Sequence, residues 1–338
     1  MPDDPSQFKL LTGDELRTAF LAAAAATPKE ANAFFGRFKY AYDLFGGNYS
    51  SAVNLGLALL ASCRAIDQSA YRHIHKGTAY YWIGSAAFLM QEPELAAFFF
   101  DAAVSEDLRA GAHPVSNPSP ALRFTLIDAA ATDQAARPLV EATDARIREL
   151  IDNYNSRPGR RPASPPLSLD AIRKALLLPS LAPENEQLRS LATTLISFSL
   201  EWDFRNQLLE LGPAKGTSEP YFMHLFKGCV LFESLLRCNP RKPPQATVHA
   251  LGRLLTLLRD DLGLPHPFLV GNATLPGILA ELPQTDESLP SAIRVTARLR
   301  NTIGHNLGWV VALSTSDYHR LFRMVASSCL HAIGALYV

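Results

Sequence analysis

Residues 221–237 read YFMHLFKGCVLFESLLR, and this stretch shows which kind of fold the chain adopts. Its apolar side chains recur at intervals of three and four residues, which places them on one face of an α-helix. The same period runs through nearly every long segment, whereas alternating strand patterns and Asn-Gly hairpin turns are scarce. The sequence therefore predicts an all-α protein, with helices at roughly 13–26, 28–45, 50–64, 68–90, 93–108, 119–131, 137–154, 168–177, 184–210, 219–237, 244–261, 273–282, 289–303 and 316–337.

The composition limits the classes of function. With 338 residues the chain is long enough for two hydrophobic cores, and 48% of its residues are hydrophobic, as in a globular protein. Its 32 basic and 32 acidic residues balance, so any nucleic-acid site must be a local patch. The four cysteines include no C-x-x-C pair, which argues against a disulfide framework and against a cysteine-rich zinc site.

The start of the chain and its hydropathy favour a cytoplasmic protein that does not enter a membrane. Residues 1–5, MPDDP, are acidic and polar, and they lack the basic and apolar regions of a secretion signal. The longest apolar stretch, 80–90, is too short to cross a bilayer.

A proline-rich break divides the chain into two parts. Residues 155–166, NSRPGRRPASPP, contain four prolines, and proline resists the helix interior because it lacks a backbone donor. We interpret 156–167 as a linker between an N-terminal helical region, 1–155, and a C-terminal helical domain, 168–338. Three arginines suit either a basic arm for nucleic acid or a solvated linker, namely Arg157, Arg160 and Arg161.

One helical pair in the N-terminal region has the spacing of a repeat protein. Small residues at these positions let two helices approach closely, and an aromatic side chain fills the space between them. The positions are Tyr80, Ile83 and Gly84 in the first helix and Ala96, Phe100 and Ala103 in the second. They resemble one tetratricopeptide repeat. Because only one repeat matches, a helical-repeat domain and an irregular helical bundle both remain possible for this region.

Residues 300–305, RNTIGH, bring three chemically useful side chains into one short turn. Arg300 is a permanent cation that can fork onto phosphate oxygens, and His305 can take or give a proton near neutral pH. Asn301 lies four residues before His305 and is therefore expected beneath it. Gly304 is expected to take the left-handed conformation that ends a helix and to bring His305 back across the last turn. The alternative is a histidine that caps the helix beside a solvated arginine.

The sequence around this turn is rich in positive charge. Between residues 291 and 323 there are five arginines and a single acid, Asp317. Arg294, Arg298 and Asn301 share one helical face at spacings of four and three, and Arg320 and Arg323 begin the last helix. We expect such a patch to attract phosphates and to make binding depend on salt.

Glu233 is unusual in the helix 219–237 because its neighbours are apolar. They are Leu231, Phe232, Leu235 and Leu236. A carboxylate in such surroundings is costly unless it is paired with a positive charge. Arg300 is the partner expected if the two helices pack together, and the alternative is an ordinary helix-surface glutamate that pairs with Arg237 at the i+4 position of the same helix.

Two features together resemble the HEPN ribonucleases: the R-N-x-x-x-H motif before a last apolar helix, and the long helix that carries a Glu near its end. The resemblance covers roughly 184–338. It implies that 168–338 is a HEPN-type helical bundle and follows the helical-repeat-like region. It also implies a homodimer in which two motifs face each other across a cleft and cut RNA with no metal and no cofactor.

The resemblance further implies the roles of individual residues. Arg300 would hold the scissile phosphate, His305 would act as base on the ribose 2′-OH or as acid to the leaving oxygen, and Asn301 would orient the pair. Glu233 and Gly304 would support the turn. The products would carry a 2′,3′-cyclic phosphate and a 5′-OH. The residues expected to bind the RNA are Arg294, Arg298, Arg320 and Arg323.

HEPN ribonucleases often serve in toxin or phage-defence systems, which implies a protein regulator, and region 1–155 is where we expect a regulator to bind. A rival function from a different class is a non-catalytic helical scaffold that binds RNA or protein. His73 and His75 are two residues apart and point in different directions on a helix, so the sequence predicts no metal site there.

Overall fold

The computed structural model describes most of the chain from residue 46 onward. The described ranges are 46–66, 68–73, 75–116, 118–129, 137–159, 165–211, 218–241, 250–305 and 311–338, together with the isolated positions 15, 18, 19, 22 and 43. The helices expected at 13–26 and 28–45, and the start of the helix expected at 244–261, lie outside the described residues.

The all-α prediction is confirmed. Within the described ranges the chain forms helices joined by turns and loops, without a strand. None of the helices in these ranges is both long enough and apolar enough to cross a membrane.

The chain divides into two compact units. The first consists of Met1–Glu141 and Leu181–Glu184, and the second of Ala142–Ser180 and Asn185–Val338. The division falls inside a helix, before the proline-rich segment, so residues 142–155 belong to the second unit.

The helices of the first unit are α1 (Tyr49–Ile66), α2 (Gln68–His73), α3 (Gly77–Leu89), α4 (Pro93–Arg109) and α5 (Pro120–Thr125). Helices α3 and α4 approach closely at Gly84, where an added Cβ would lie 3.2 Å from the carbonyl oxygen of Ala96 and 3.3 Å from the Cβ of Phe99. The small residues of the repeat-like pattern thus lie at a tight helix contact. Whether this pair belongs to a true repeat stays a prediction.

One helix was predicted at 68–90, whereas the structure has two, α2 and α3. The break lies at two polar contacts of Lys76, one within the same segment and one to Glu106, thirty residues further along the chain. Lys76 is 3% exposed, and its Nζ donates to the carbonyl oxygen of Tyr71 at 2.8 Å. Its backbone N–H donates to Oε2 of Glu106 at 3.2 Å. A local helical pattern gives no sign of these partners, which explains the difference.

The second unit contains helices α6 to α13, and α6 begins in the first unit. They are α6 (Arg137–Asn155), α7 (Leu169–Ile172, continued by a π-helical turn Arg173–Leu177 and by Leu178–Ser180), α8 (Glu186–Leu211), α9 (Glu219–Arg237), α10 (Leu251–Leu257), α11 (Leu275–Glu281), α12 (Leu289–Ile303) and α13 (Thr315–Leu336). Serine side chains cap three of these helices by accepting a backbone N–H in the first turn, namely Ser168, Ser288 and Ser314.

Helices α9 and α13 run in the same direction. Near their starts the Tyr318 hydroxyl lies 2.7 Å from Nδ1 of His224, and near their ends the Tyr337 hydroxyl donates to the carbonyl oxygen of Leu235 at 2.9 Å. Helix α8 packs beside both, since its Phe198 ring lies 4.7 Å from the His224 ring of α9 and 5.1 Å from the Phe322 ring of α13. His224 is buried, and its Nε2 bonds to the carbonyl oxygen of Phe198 at 2.8 Å, so both ring nitrogens are satisfied within the core.

The described part of the proline-rich segment is a loop fixed to the second unit. Asn155 and Leu167 close it, because the Asn155 side chain both donates to and accepts from the Leu167 backbone at 2.9 Å. Arg157 is 8% exposed and donates to Oγ of Ser327 at 2.6 Å and to Oε2 of Glu287 at 2.8 Å. Burial lowers the pKa of Arg157, and the Glu287 carboxylate acts against this. Arg157 is therefore neither a basic arm nor a solvated linker residue. Arg160 and Arg161 lie outside the described residues.

Gly228 of α9 lies where α8, α9 and α13 meet, so a larger side chain at this position should lower the stability of the fold. An added Cβ would lie 2.5 Å from the Phe198 ring and 2.6 Å from Cγ1 of Val325. We expect Gly228→Ala to lower the free energy of unfolding by about 1–3 kcal/mol, because overpacking a filled core forces its neighbours apart. Urea-induced unfolding followed by circular dichroism measures this change.

The matched control is Gly252→Ala in α10, where no atom of the described residues lies within 4 Å of an added Cβ. We expect it to be neutral or to stabilise by up to about 1 kcal/mol, because alanine favours helix over glycine. Equal stability of the two variants would contradict the close packing at Gly228.

Candidate functional site

The motif residues lie at the end of α12 and in the turn that follows. The backbone N–H of Gly304 donates to the carbonyl oxygen of Arg300 at 3.1 Å, and that of His305 to Thr302 at 3.4 Å. Gly304 has φ −65° and ψ −14°, so the expected left-handed conformation is wrong. The hydrogen bonds thus change from a spacing of four residues at Gly304 to a spacing of three at His305, which forms a tighter last turn. Glycine is needed there for space, because an added Cβ would lie 2.9 Å from the Arg300 carbonyl oxygen and 3.3 Å from the Phe226 ring.

A pocket of about 660 Å³ brings together the three residues predicted to be catalytic, Arg300, Asn301 and His305. Three segments of the second unit line it: the end of α12 and its turn, the loop before α11, and the start of α10. The lining residues are Arg298, Arg300, Asn301, Thr302 and His305 from the first segment, Gly271, Asn272, Ala273 and Thr274 from the second, and Ala250, Leu251 and Gly252 from the third. The volume falls in the range of small-molecule sites.

Arg300 is oriented by the buried carboxylate of Glu233. Its Nε donates to Oε2 of Glu233 at 2.5 Å, and the other carboxylate oxygen accepts from Nη2 of Arg237 at 2.6 Å. The two partners weighed from the sequence are therefore both present. The Arg300 side chain is 31% exposed, and among the described residues nothing accepts a hydrogen bond from its Nη atoms. One edge of the guanidinium is thus held by protein, and the other edge is left for a ligand in the pocket.

Asn301 and His305 also retain hydrogen-bonding capacity. Asn301 is half-buried and His305 is exposed, and both line the pocket. In the described parts of the chain neither side chain forms a hydrogen bond. The pocket therefore presents a guanidinium edge, an amide and an imidazole from one helix end.

Arg294 and Arg298 have a structural role that the sequence did not predict. Together with Thr302 they occupy one face of α12 at spacings of four residues, and all three donate to backbone carbonyls of the segment before α11. The bonds are Arg294 Nε to Leu269 O at 3.2 Å, Arg298 Nε to Val270 O at 2.7 Å and Thr302 Oγ1 to Ala273 O at 2.8 Å. Arg298 also pairs with Glu281 at 2.8 Å. The two arginines hold the segment before α11 in place, and of the two only Arg298 lines the pocket.

Arg320 and Arg323 lie away from the pocket. Arg320 donates to Oε1 of Glu287 at 2.8 Å and to the carbonyl oxygen of Thr285, just before α12 begins. Arg300 lies near the other end of α12, roughly 20 Å along the helix axis. Arg323 is exposed on α13. The expected single basic patch is therefore divided. Glu281 and Glu287 partly neutralise it, and both lie before the arginine-rich stretch 291–323.

Sequence reasoning missed the lining residues of the α11 loop and of α10. Thr302 carried a recognisable signal, since it continues the spacing of four from Arg294 and Arg298. Asn272 and Gly252 carried none, because only the packing of their segments beside α12 brings them to the pocket. Elsewhere in the described ranges, no three His, Cys, Asp or Glu side chains lie close enough together to hold a metal ion.

Comparison of the chain with known proteins finds no matching family model, no matching curated protein and no matching solved structure. The function is therefore inferred from the geometry and chemistry of the pocket.

Glu233 and Glu281 both pair with arginines of α12, and we expect their replacement by glutamine to lower stability by different amounts. Glu233→Gln keeps the shape but removes the charge that Arg237 and Arg300 share, and the side chain is only 8% exposed. We expect a loss of about 1–3 kcal/mol in the free energy of unfolding, because both guanidinium groups lose their buried counter-charge and the amide NH2 cannot accept a hydrogen bond from either of them.

The control is Glu281→Gln, which removes the partner of Arg298 from a position that is 61% exposed. Its expected cost is at most about 1 kcal/mol, as for other surface ion pairs. Thermal and urea unfolding of both variants measures the two losses in the free energy of unfolding. A cost for Glu281→Gln equal to that for Glu233→Gln would show that burial does not set the strength of the bridge.

Proposed function

We propose that the second unit is a metal-independent endoribonuclease of HEPN type, with its active site in the pocket at the end of α12. One observation supports this most strongly. Arg300, Asn301 and His305 line a single pocket, the described residues leave hydrogen-bonding groups of all three unused, and Glu233 fixes the Arg300 side chain. A positioned guanidinium beside an imidazole suits phosphodiester chemistry, because it combines charge stabilisation with proton transfer.

In the proposed reaction the ribose 2′-oxygen attacks the adjacent phosphorus, and the bond from phosphorus to the 5′-oxygen breaks. His305 takes the proton from the 2′-OH or gives one to the departing 5′-oxygen. The Nη edge of Arg300 binds the non-bridging oxygens, where negative charge builds in the transition state. Asn301 orients the phosphate or the imidazole. The products are a 2′,3′-cyclic phosphate and a 5′-OH, and DNA resists cleavage because it lacks the nucleophile.

One imidazole cannot serve as base and acid in the same step. The second proton is therefore exchanged with water or with a second copy of the site, which is consistent with the homodimer that the family resemblance implies. In the same proposal the first unit receives a protein regulator, and the enzyme acts in a toxin or phage-defence context.

Affinity for RNA is expected to come from the pocket itself and less from bulk charge. The chain is neutral overall, and carboxylates pair with Arg298 and Arg320. We therefore expect a shallower salt dependence of binding than a basic patch of five arginines would give.

The test is cleavage of mixed cellular RNA and synthetic RNA in EDTA. We expect the wild type to cut and to leave cyclic-phosphate ends. His305→Ala should slow cleavage by about 10²–10⁴-fold, the usual contribution of a general acid or base. Arg300→Ala should slow it by about 10²–10³-fold, because it removes a charge that stabilises the transition state.

Matched controls are Arg148→Ala and His266→Ala, which remove an exposed arginine and an exposed histidine outside the pocket. Both should cut like the wild type. Full activity of His305→Ala would refute the proposed chemistry, as would activity that EDTA abolishes. RNA binding without any cleavage, alone or with a bound regulator, would favour the non-catalytic scaffold.

A further inference from the structure

The pocket has a second wall that the proposed reaction does not use. We call it the loop wall, and it consists of residues 271–274 before α11 and residues 250–252 at the start of α10. A cleavage site alone needs only the phosphate and the two flanking oxygens. The loop wall is therefore available for another part of the substrate.

Part of the loop wall is held firmly in place. Arg298 and Thr302 of α12 bind the carbonyl oxygens of Val270 and Ala273 at 2.7 and 2.8 Å. Because these bonds lie on both sides of Asn272, its backbone is fixed beside the pocket. The Asn272 side chain is exposed, and within the described residues its amide forms no hydrogen bond.

The chemistry of the loop wall suits a nucleobase. Side chains are small or absent at Ala250, Gly252 and Ala273, which leaves room for a flat ring within the volume of about 660 Å³. A carboxamide presents a donor and an acceptor side by side, which matches the edge of a base. None of the described lining residues is acidic, so the pocket does not repel the phosphate that a nucleotide carries.

We propose that the loop wall is a nucleobase subsite in which Asn272 reads the base next to the scissile phosphate. This inference rests on the proposed function and adds a substrate class to it. The substrate is single-stranded RNA, because in a duplex the base edge is already paired and the base is stacked. Asn272 is thus a specificity-determining residue.

Binding and cleavage are separated by using 2′-O-methyl RNA, which lacks the nucleophilic 2′-OH. The probes are fluorescein-labelled single-stranded 2′-O-methyl oligonucleotides of A, of C and of U, and a duplex of the A and U strands. Fluorescence anisotropy gives Kd for the wild type, Gly252→Leu, Asn272→Ala and the control Ser190→Leu. Ser190 is exposed on α8 and does not line the pocket.

Gly252→Leu adds a side chain at a position where the described part of the chain has no atom within 4 Å of the new Cβ. The melting temperature should therefore stay unchanged while the new side chain fills the loop wall. We expect it to weaken binding of every single strand by about tenfold or more. Asn272→Ala should reduce the preference between the best and the worst single strand by about fivefold or more, the usual effect of one base contact. Ser190→Leu should bind like the wild type, and the duplex should bind more weakly than its strands.

Unchanged binding by Gly252→Leu, or an unchanged base preference of Asn272→Ala, would overturn the subsite. A wild type that binds none of the probes would do the same. Cleavage of unmodified RNA, measured in parallel, separates the two proposals. A wild type that cuts RNA but fails these binding tests loses only the subsite. One that passes them without cutting keeps a base-binding site at the loop wall, but loses the nuclease and with it the scissile phosphate beside that base.

Discussion

A buried carboxylate needs positive charge, and Glu233 meets this need with arginines from two helices. Arg237 comes from its own helix, α9, and Arg300 comes from α12. Arg237 satisfies one oxygen of this buried carboxylate, and the packing of α12 against α9 brings Arg300 to the other. The end of α12, with Asn301 and His305, is thereby placed at the pocket. A requirement of the core thus determines where the candidate site forms.

Helix α12 uses its polar side chains for two different purposes. Arg294, Arg298 and Thr302 share one face and donate to backbone carbonyls of the loop before α11. Those carbonyls lie in an irregular segment and have no helical partner of their own, so a side-chain donor stabilises the loop. Arg300 and Asn301 lie at other positions around the helix and face the pocket. The helix therefore builds one wall of the pocket and supports another wall at the same time.

Several features of the fold could be predicted because their causes are local. The bounds of α9 and α12 were predicted to the residue, since apolar period and terminal signals lie within each segment. The pairing of Glu233 could also be predicted, because its apolar neighbours imply burial and burial implies a partner. Gly304 was assigned the wrong conformation, because glycine suits both a left-handed turn and a close contact. Only the position of the Phe226 ring distinguishes them.

The sequence by itself determined that the described chain is helical, where most helices begin and end, and that the R-N-x-x-x-H turn ends one of them. These properties depend on neighbours a few residues apart, and such neighbours are fixed by the chain. Only the tertiary structure decided which arginines remain for a ligand. Glu281, Glu287 and the loop carbonyls occupy Arg294, Arg298 and Arg320, whereas Arg300 keeps one edge open. That selection depends on which acceptors the packing brings within hydrogen-bond distance, and sequence spacing does not contain this information.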